Sequence, residues 1–258
     1  MNKKMMKIAV FNNKGGVGKS TIAVHIAHGL ALDRHKVVLI DMDGQNDASL
    51  FLGFTSEDYQ KTFCDLLDEG NRTRLEECLV HARDNLDLLP SGPVDRINAE
   101  LHKLPGTGRV MAEKLRDLER LGYDFAIIDC GPQRSKANDA VLHYADGLVI
   151  PVQLQAASVR AVGNIYEYLA DMNLGADMIK LVVPNMFDQR TKDARENLEL
   201  LKEFISDDRL LAEPVHRRVK IAEAGKLGKT AFEYDDESAR QFMSIVNRVK
   251  SGYAGEKQ

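Results

Sequence analysis

Residues 8–21 read "IAVFNNKGGVGKST", and everything else about the chain is best placed around them. The run from Ile8 to Phe11 is apolar enough for a buried strand. Gly15, Gly16 and Gly18 then crowd into a short loop, and Lys19, Ser20 and Thr21 open a segment with helical periodicity. A strand, a glycine loop and a helix that starts on Lys-Ser together form the pattern of a phosphate-binding loop. Glycines let backbone N–H groups converge on phosphate oxygens with no Cβ in the way. The helix start adds the positive end of its dipole. Lys19 is thus expected to bridge the β- and γ-phosphates, Ser20 to hold Mg²⁺ and Thr21 to reach the α-phosphate. Gly15, Gly16, Val17 and Gly18 would offer the backbone of the loop to the same ligand. Asn13 occupies the first glycine position of the pattern GxxxxGK followed by Ser or Thr. The competing reading, a glycine-rich turn with an incidental lysine, fails on the order of the elements. Lys14 is left over, since one lysine suffices for the loop's own phosphates.

Outward from the loop, apolar runs alternate with helical stretches. Segments 7–12, 36–41, 86–91, 123–130, 147–152 and 179–185 read as buried parallel strands. Helices are expected at 19–32, 62–68, 72–83, 110–121, 136–143, 158–172 and 191–205. A last helix, about 236–250, puts Ala239, Phe242, Val246 and Val249 on one face. Residues 102–110, "HKLPGTGRV", read as a surface loop. The alternation predicts an α/β fold, a doubly wound, mostly parallel sheet flanked by helices, with its ligand at the carboxyl edge. Residues 1–258 read as one domain, and with the first strand so near residue 1, no N-terminal helix-turn-helix unit is expected.

Acids at two strand ends complete a nucleotide site. "VVLIDMDGQND" sets Asp41 and Asp43 just past one strand, and "FAIIDCGP" sets Asp129 at the end of another. Such acids bind Mg²⁺ through water and position a nucleophile. Taken singly, each is as easily a loop or helix cap. Beside a phosphate loop, that bland reading weakens.

Composition narrows the class further. A 258-residue chain with 44% hydrophobic and 29% charged residues is that of an ordinary globular protein. Its net charge of −4 gives no global nucleic-acid signal. Cys64, Cys78 and Cys130 are odd in number and far apart, which argues for a reducing compartment and against a disulfide framework or zinc site. "MNKKMMKIAV" is too short in apolar residues for a signal peptide, and nothing reaches ~18 apolar residues. A cytoplasmic protein is expected.

With these motifs in place the chain resembles the ParA/MinD family of deviant Walker-A ATPases, and most closely its ParA branch of DNA-partitioning ATPases. "KGGVGKS" matches the family hallmark, while "DMDGQ" and "DCGP" resemble its second and third motifs with Gly44 and Gly131 in place of proline. "PNMFDQRTKDARENLELLKE" and "EPVHRRVKIAEAGKLGKTAFEYDDES" resemble its later stretches. The resemblance implies that Lys14 reaches across a dimer interface to the partner's nucleotide, so ATP would drive a sandwich homodimer. It implies that Asp43 positions the attacking water and that Asp41 and Asp129 hold Mg²⁺ through water. Asn185 would contact adenine, with Pro214 and Arg217 also near the nucleotide. Slow hydrolysis stimulated by a ParB-like DNA-binding adaptor follows from the same resemblance.

From Arg209 to Lys229, six cations face only Glu213 and Glu223. Such a patch binds phosphate backbones without reading sequence. Arg218, Lys220, Lys226 and Lys229 are therefore candidate contacts to nonspecific double-stranded DNA, and Arg190 matches a DNA-contacting arginine of the family. ATP-dependent dimerisation would double the patch and make the protein nucleoid-associated. A solvated basic face is the plainer alternative. A MinD-like membrane-cycling regulator is a second reading, but "RVKSGYAGEKQ" is a poor membrane anchor. An iron–sulfur ATPase would need bridging cysteines that the spacing does not supply. A small-molecule ligase or kinase on the same scaffold, and partitioning of a protein cargo, stay open.

Overall fold

The computed structural model describes residues 4–255 apart from 69, 71, 105 and 206. The readings of the extreme termini, 1–3 and 256–258, lie outside the described residues. Strand β1 (Met6–Val10) runs into the glycine loop and then α1 (Lys19–Leu32). Next come β2 (Val37–Met42), α2 (Asp47–Phe51), α3 (Phe63–Leu67), β3 (Val80–Arg83) and β4 (Leu86–Leu89). They are followed by α4 (Val94–Lys103), α5 (Thr107–Lys114), α6 (Asp117–Arg120), β5 (Phe125–Cys130), α7 (Lys136–Tyr144) and β6 (Gly147–Gln153). The last part holds α8 (Ala156–Asp171), β7 (Ile179–Asn185), α9 (Lys192–Ile205), α10 (Val219–Lys226) and α11 (Asp236–Gly255).

The strands form a seven-stranded sheet in the order β3-β4-β2-β5-β1-β6-β7. Every pair is parallel except β3 with β4. β1 lies at the centre between β5 and β6, so the glycine loop leaves the middle of the carboxyl edge. Apolar layers cover both sheet faces. One packs Ile22, Ile26 and Leu30 of α1 with Phe242 and Val246 of α11, and the other gathers Ile97, Met111, Val141 and Ile165. Both strand faces are buried, which is why these strands read as continuous apolar runs. α1 is apolar around most of its girth because the sheet covers one side and α11 the other. Gly29 permits that approach, since a Cβ there would lie 2.5 Å from Val246 Cγ2.

The helix expected over 72–83 is absent. The segment is a single 3-10 turn, Leu75–Glu77, followed by the antiparallel edge strand β3. Leu75, Cys78, Leu79 and Ala82 fall at helical spacing, which conceals a hairpin that turns at Asp84-Asn85. Asn85 takes the left-handed conformation there, with φ of 62°. The loop read at 102–110 is shorter than expected, because α4 runs to Lys103 and α5 starts at Thr107. Pro105 itself lies outside the described residues. The short helices α2 and α10 and the helix α4 had no counterpart in the periodicity.

The hairpin end packs on the turn after α10, where Gly53 and Gly228 meet backbone to backbone. Gly228 has φ of 64°, and a Cβ on it would sit 2.6 Å from Gly53 Cα. Neither neighbour is a side chain that can swing away. Gly228→Ala is expected to cost about 2–3 kcal/mol in urea unfolding, with the left-handed backbone and the clash both contributing. A loss below about 0.5 kcal/mol would show that this contact relaxes freely.

Candidate nucleotide site

The loop between β1 and α1 is shaped by two left-handed glycines, Gly16 with φ of 74° and Gly18 with φ of 91°. Gly18 caps α1 with no side-chain bond, and the first helical turn carries no acid. The N–H groups of that turn are thus left to a ligand. The loop is tied down from behind. Asn12 Nδ2 donates to Pro151 O at 2.8 Å, and Asn12 Oδ1 accepts from Lys14 N at 2.9 Å. Asn185, at the end of β7, donates from Nδ2 to Val17 O at 2.8 Å. A Cβ on Gly18 would lie 2.2 Å from that same Nδ2, so glycine is required where the two elements touch.

Lys19 is buried, and Nζ donates to Lys14 O at 3.3 Å. Burial lowers its pKa, while the charges of Asp129 and Asp43 oppose the shift. The parallel register of β2 and β5 pairs Asp41 with Asp129 directly, both fully buried. Asp41 accepts from Ser49 N at 3.0 Å, Ser49 Oγ at 2.7 Å and Asp43 N at 3.1 Å. Burial still pushes its carboxyl up to about 6. Neither oxygen of Asp129 has a hydrogen-bond partner of standard geometry. The Ser20 hydroxyl faces that carboxyl from outside this geometry and favours its charge, but burial and then Asp41 push the pKa well up.

Orphaned carboxylate oxygens beside a serine hydroxyl fit Mg²⁺, a hard cation that keeps several waters. Among the described residues no three His, Cys, Asp or Glu side chains converge into a protein-only metal cage. Ser20 would therefore hold the ion together with phosphate oxygens, with Asp129, Asp41 and Asp43 acting through water. When bound, Mg²⁺ neutralises phosphate charge.

A cleft of about 510 Å³ opens over the loop. Gly15, Gly16, Gly18, Lys19, Ser20 and Thr21 line one side, with Asp43, Gln45 and Asp47 beside them. Leu50, Phe51 and Met186 supply an apolar wall, and Ala222, Gly225 and Lys226 of α10 close it. Val17 is buried beneath the loop. Lys14 is half-buried, and its ammonium donates to Ser158 Oγ at 2.6 Å, at the start of α8. Asn185 is buried behind the loop, with Oδ1 accepting from Met186 N at 2.9 Å. Pro214 stands next to Val215, whose N–H donates to Pro184 O at 2.8 Å, so it lies near the β7 end.

The basic segment divides in two. A second cleft of about 720 Å³ is lined by Gln189, His216, Arg217, Arg218, Lys220, Glu237 and Arg240. Arg217 thus lines this cleft, and Lys226 the nucleotide cleft, the reverse of the arrangement expected from sequence. Arg218 pairs with Glu237 and Lys220 with Asp235 at 3.0 Å, whereas Arg190 binds its own neighbour Asp188 at 2.7 Å. Lys229 is exposed. Cys64, Cys78 and Cys130 are buried free thiols with no disulfide. Ser49, Ser158, Asn12 and Asp47 belong to the site, although nothing in their local sequence marks them. Only the fold brings α8 and α2 together at this edge.

Strand, left-handed glycine loop, buried Lys19 and strand-end acids define a P-loop nucleotide-binding protein. A family model described as an AAA domain matches residues 5–178. The chromosome-partitioning ATPase Soj of Thermus thermophilus is 32% identical over 251 residues, covering 95% of this chain and 96% of Soj. The cell division protein PomZ of Myxococcus xanthus is 31% identical over 247 residues, covering 92% of this chain and 76% of PomZ. The ATP complex of McdA from Cyanothece superposes with a TM-score of 0.81 at 22% identity, covering 98% of each chain, a likeness of fold. The chain belongs to the ParA/MinD family of P-loop ATPases, close to the ParA partitioning proteins.

Proposed function

We propose that this protein is a ParA-type partition ATPase, in which ATP drives a homodimer that binds duplex DNA nonspecifically in the cytoplasm. The observation that carries the reading is α10, whose ends line the nucleotide cleft and the basic cleft. A short helix shared by two sites gives nucleotide state a direct route to a phosphate-binding surface. Arg217 and Arg240 make no ion pair among the described residues, although Asp188 feels the charge of Arg217, and they add positive charge to that surface. Arg218 and Lys220 would exchange their carboxylate partners for DNA phosphates, and Arg190 and Lys229 would extend the contact.

Within the nucleotide cleft, Lys19 and the loop N–H groups bind the phosphates, and Asp43 orients the water. Asn185 anchors the loop from behind through Val17 O, neither it nor Pro214 lines that cleft, and Arg217 serves DNA rather than nucleotide. Lys14 is held by a single hydroxyl and is free to exchange Ser158 for a phosphate of the partner subunit, where positive charge favours phosphoryl transfer. A ParB-like adaptor would stimulate hydrolysis and release the dimer from DNA. Titration of a random-sequence duplex with ATP, ADP or no nucleotide, over a salt series, tests this. Binding is expected only with ATP, weakening steeply as salt rises, and is expected to vanish in Lys14→Ala while that variant still binds nucleotide. Nucleotide-independent binding would remove the partition reading.

The relationship to PomZ supports a second reading, a positioning ATPase of cell division. Among the described residues no helix is long and apolar enough to cross a membrane.

A further inference from the structure

The cations of the 209–229 segment differ in one respect that their sequence conceals. Arg209 pairs with Asp207, Arg218 with Glu237 and Lys220 with Asp235. Lys226 is exposed and has no hydrogen-bond or ion-pair partner among the described residues. It also lines the cleft above the glycine loop, where Lys19 is the other lining cation.

The position of Lys226 is fixed by packing. Ala222, Gly225 and Lys226 recur at helical spacing and so share one face of α10, and all three line that cleft. Gly225 seats this face on α2, since a Cβ there would lie 2.9 Å from the Phe51 ring. Just beyond, the Gly53–Gly228 contact clamps the end of the helix. Arg83 donates to Leu52 O at 3.3 Å and to Gly228 O at 2.7 Å, bracketing both sides of that contact. The backbone that carries this unpaired ammonium is thereby fixed on the wall of the cleft above the glycine loop.

We infer that Lys226 is a nucleotide-binding residue that places its ammonium against the phosphate oxygens of ATP or ADP. It is a second cationic contact, opposite Lys19, and not part of the DNA surface. A lysine there raises affinity through charge, because its flexible stem can follow the ligand whereas Lys19 is fixed and buried. The inference rests on nucleotide binding at this cleft, which titration of the wild-type protein tests separately.

The experiment is calorimetric titration of the full chain with a non-hydrolysable ATP analogue, ADP and adenosine in Mg²⁺ buffer. Lys226→Gln is expected to weaken both nucleotides about three- to tenfold, within the range for an exposed charge-assisted contact. Adenosine binding should not change, Lys226→Arg should restore most of the loss, and the defect should shrink at high salt. Lys103→Gln, a remote exposed lysine, serves as the charge control. Wild-type nucleotide affinity in Lys226→Gln would overturn the inference, as would equal losses in Lys226→Gln and Lys226→Arg, which would indicate packing. If duplex binding at saturating nucleotide falls while nucleotide affinity holds, Lys226 belongs to the DNA surface instead. If the wild-type protein binds no nucleotide, the ATPase reading fails as a whole.

Discussion

Replacing Gly18 with alanine is expected to lower nucleotide affinity about a hundredfold while leaving the fold intact. Gly18 has φ of 91°, and its Cβ would have to share space with Asn185 Nδ2 at 2.2 Å. A left-handed backbone costs a non-glycine residue about 1–2 kcal/mol. The collision also displaces the Asn185 amide from Val17 O, the bond that ties the loop to β7. A surface loop relaxes rather than bearing both costs, and relaxation turns its N–H groups away from the phosphate position. About 3 kcal/mol of lost binding corresponds to the stated factor. Calorimetric titration with ADP alongside thermal unfolding separates the two effects. Affinity within about threefold of wild type would mean that the loop tolerates the Cβ and that its shape is not set by Gly18.

The second large effect concerns His25 and stability. The ring is fully buried in α1, stacked on Phe242 at 3.7 Å between centroids. Nδ1 lies 2.6 Å from Thr21 O, which can only accept, and Nε2 lies 2.9 Å from Ala231 N, which can only donate. The neutral Nδ1–H tautomer satisfies both contacts, whereas a cation would set N–H against N–H. Burial accordingly lowers the pKa from 6.5 to about 3. Between those values the unfolded chain binds the proton and the native state does not, so this contribution is complete above pH 6.5 and fades as pH falls. At pH 5 the loss is about 2 kcal/mol.

Asp41 acts in the opposite sense. Its carboxyl is raised from 3.8 to about 6, so the native state binds that proton first and gains stability as pH falls through 6. The wild-type curve therefore mixes two opposing slopes. Subtracting the urea-unfolding profile of His25→Gln isolates the histidine, and the difference should shrink by about 2 kcal/mol from pH 7.5 to pH 5. His25→Ala should lose about 3–5 kcal/mol at pH 7.5, from a cavity beside Phe242 and an Ala231 N–H left without its acceptor. A flat difference profile would show that His25 ionises freely in the folded protein. The consequence reaches the site, because Thr21 lies in the first turn of α1 and His25 joins it to the segment entering α11.

Much of this architecture was legible in local pattern. β1, the glycine loop and α1 fell within a residue or two of their expected bounds, because buried parallel strands and helix starts leave signals that depend on near neighbours. β3 was misread because a helix-like spacing and a short hairpin strand share the same apolar residues over so few positions. α2 has only five residues, and α10 lay inside a segment whose charges dominated its reading.

Local spacing alone set the sheet class and the phosphate loop, and it marked Lys19, Ser20 and the strand-end acids as candidates. Each depends on a spacing that the backbone converts directly into geometry. Tertiary structure decided which acids lie side by side, because strand register pairs Asp41 with Asp129. It also decided what Lys14 holds and which cleft each cation enters. Those answers depend on elements far apart in the chain, such as Lys14 with Ser158 and Gly53 with Gly228, whose meeting is fixed by packing and not by spacing.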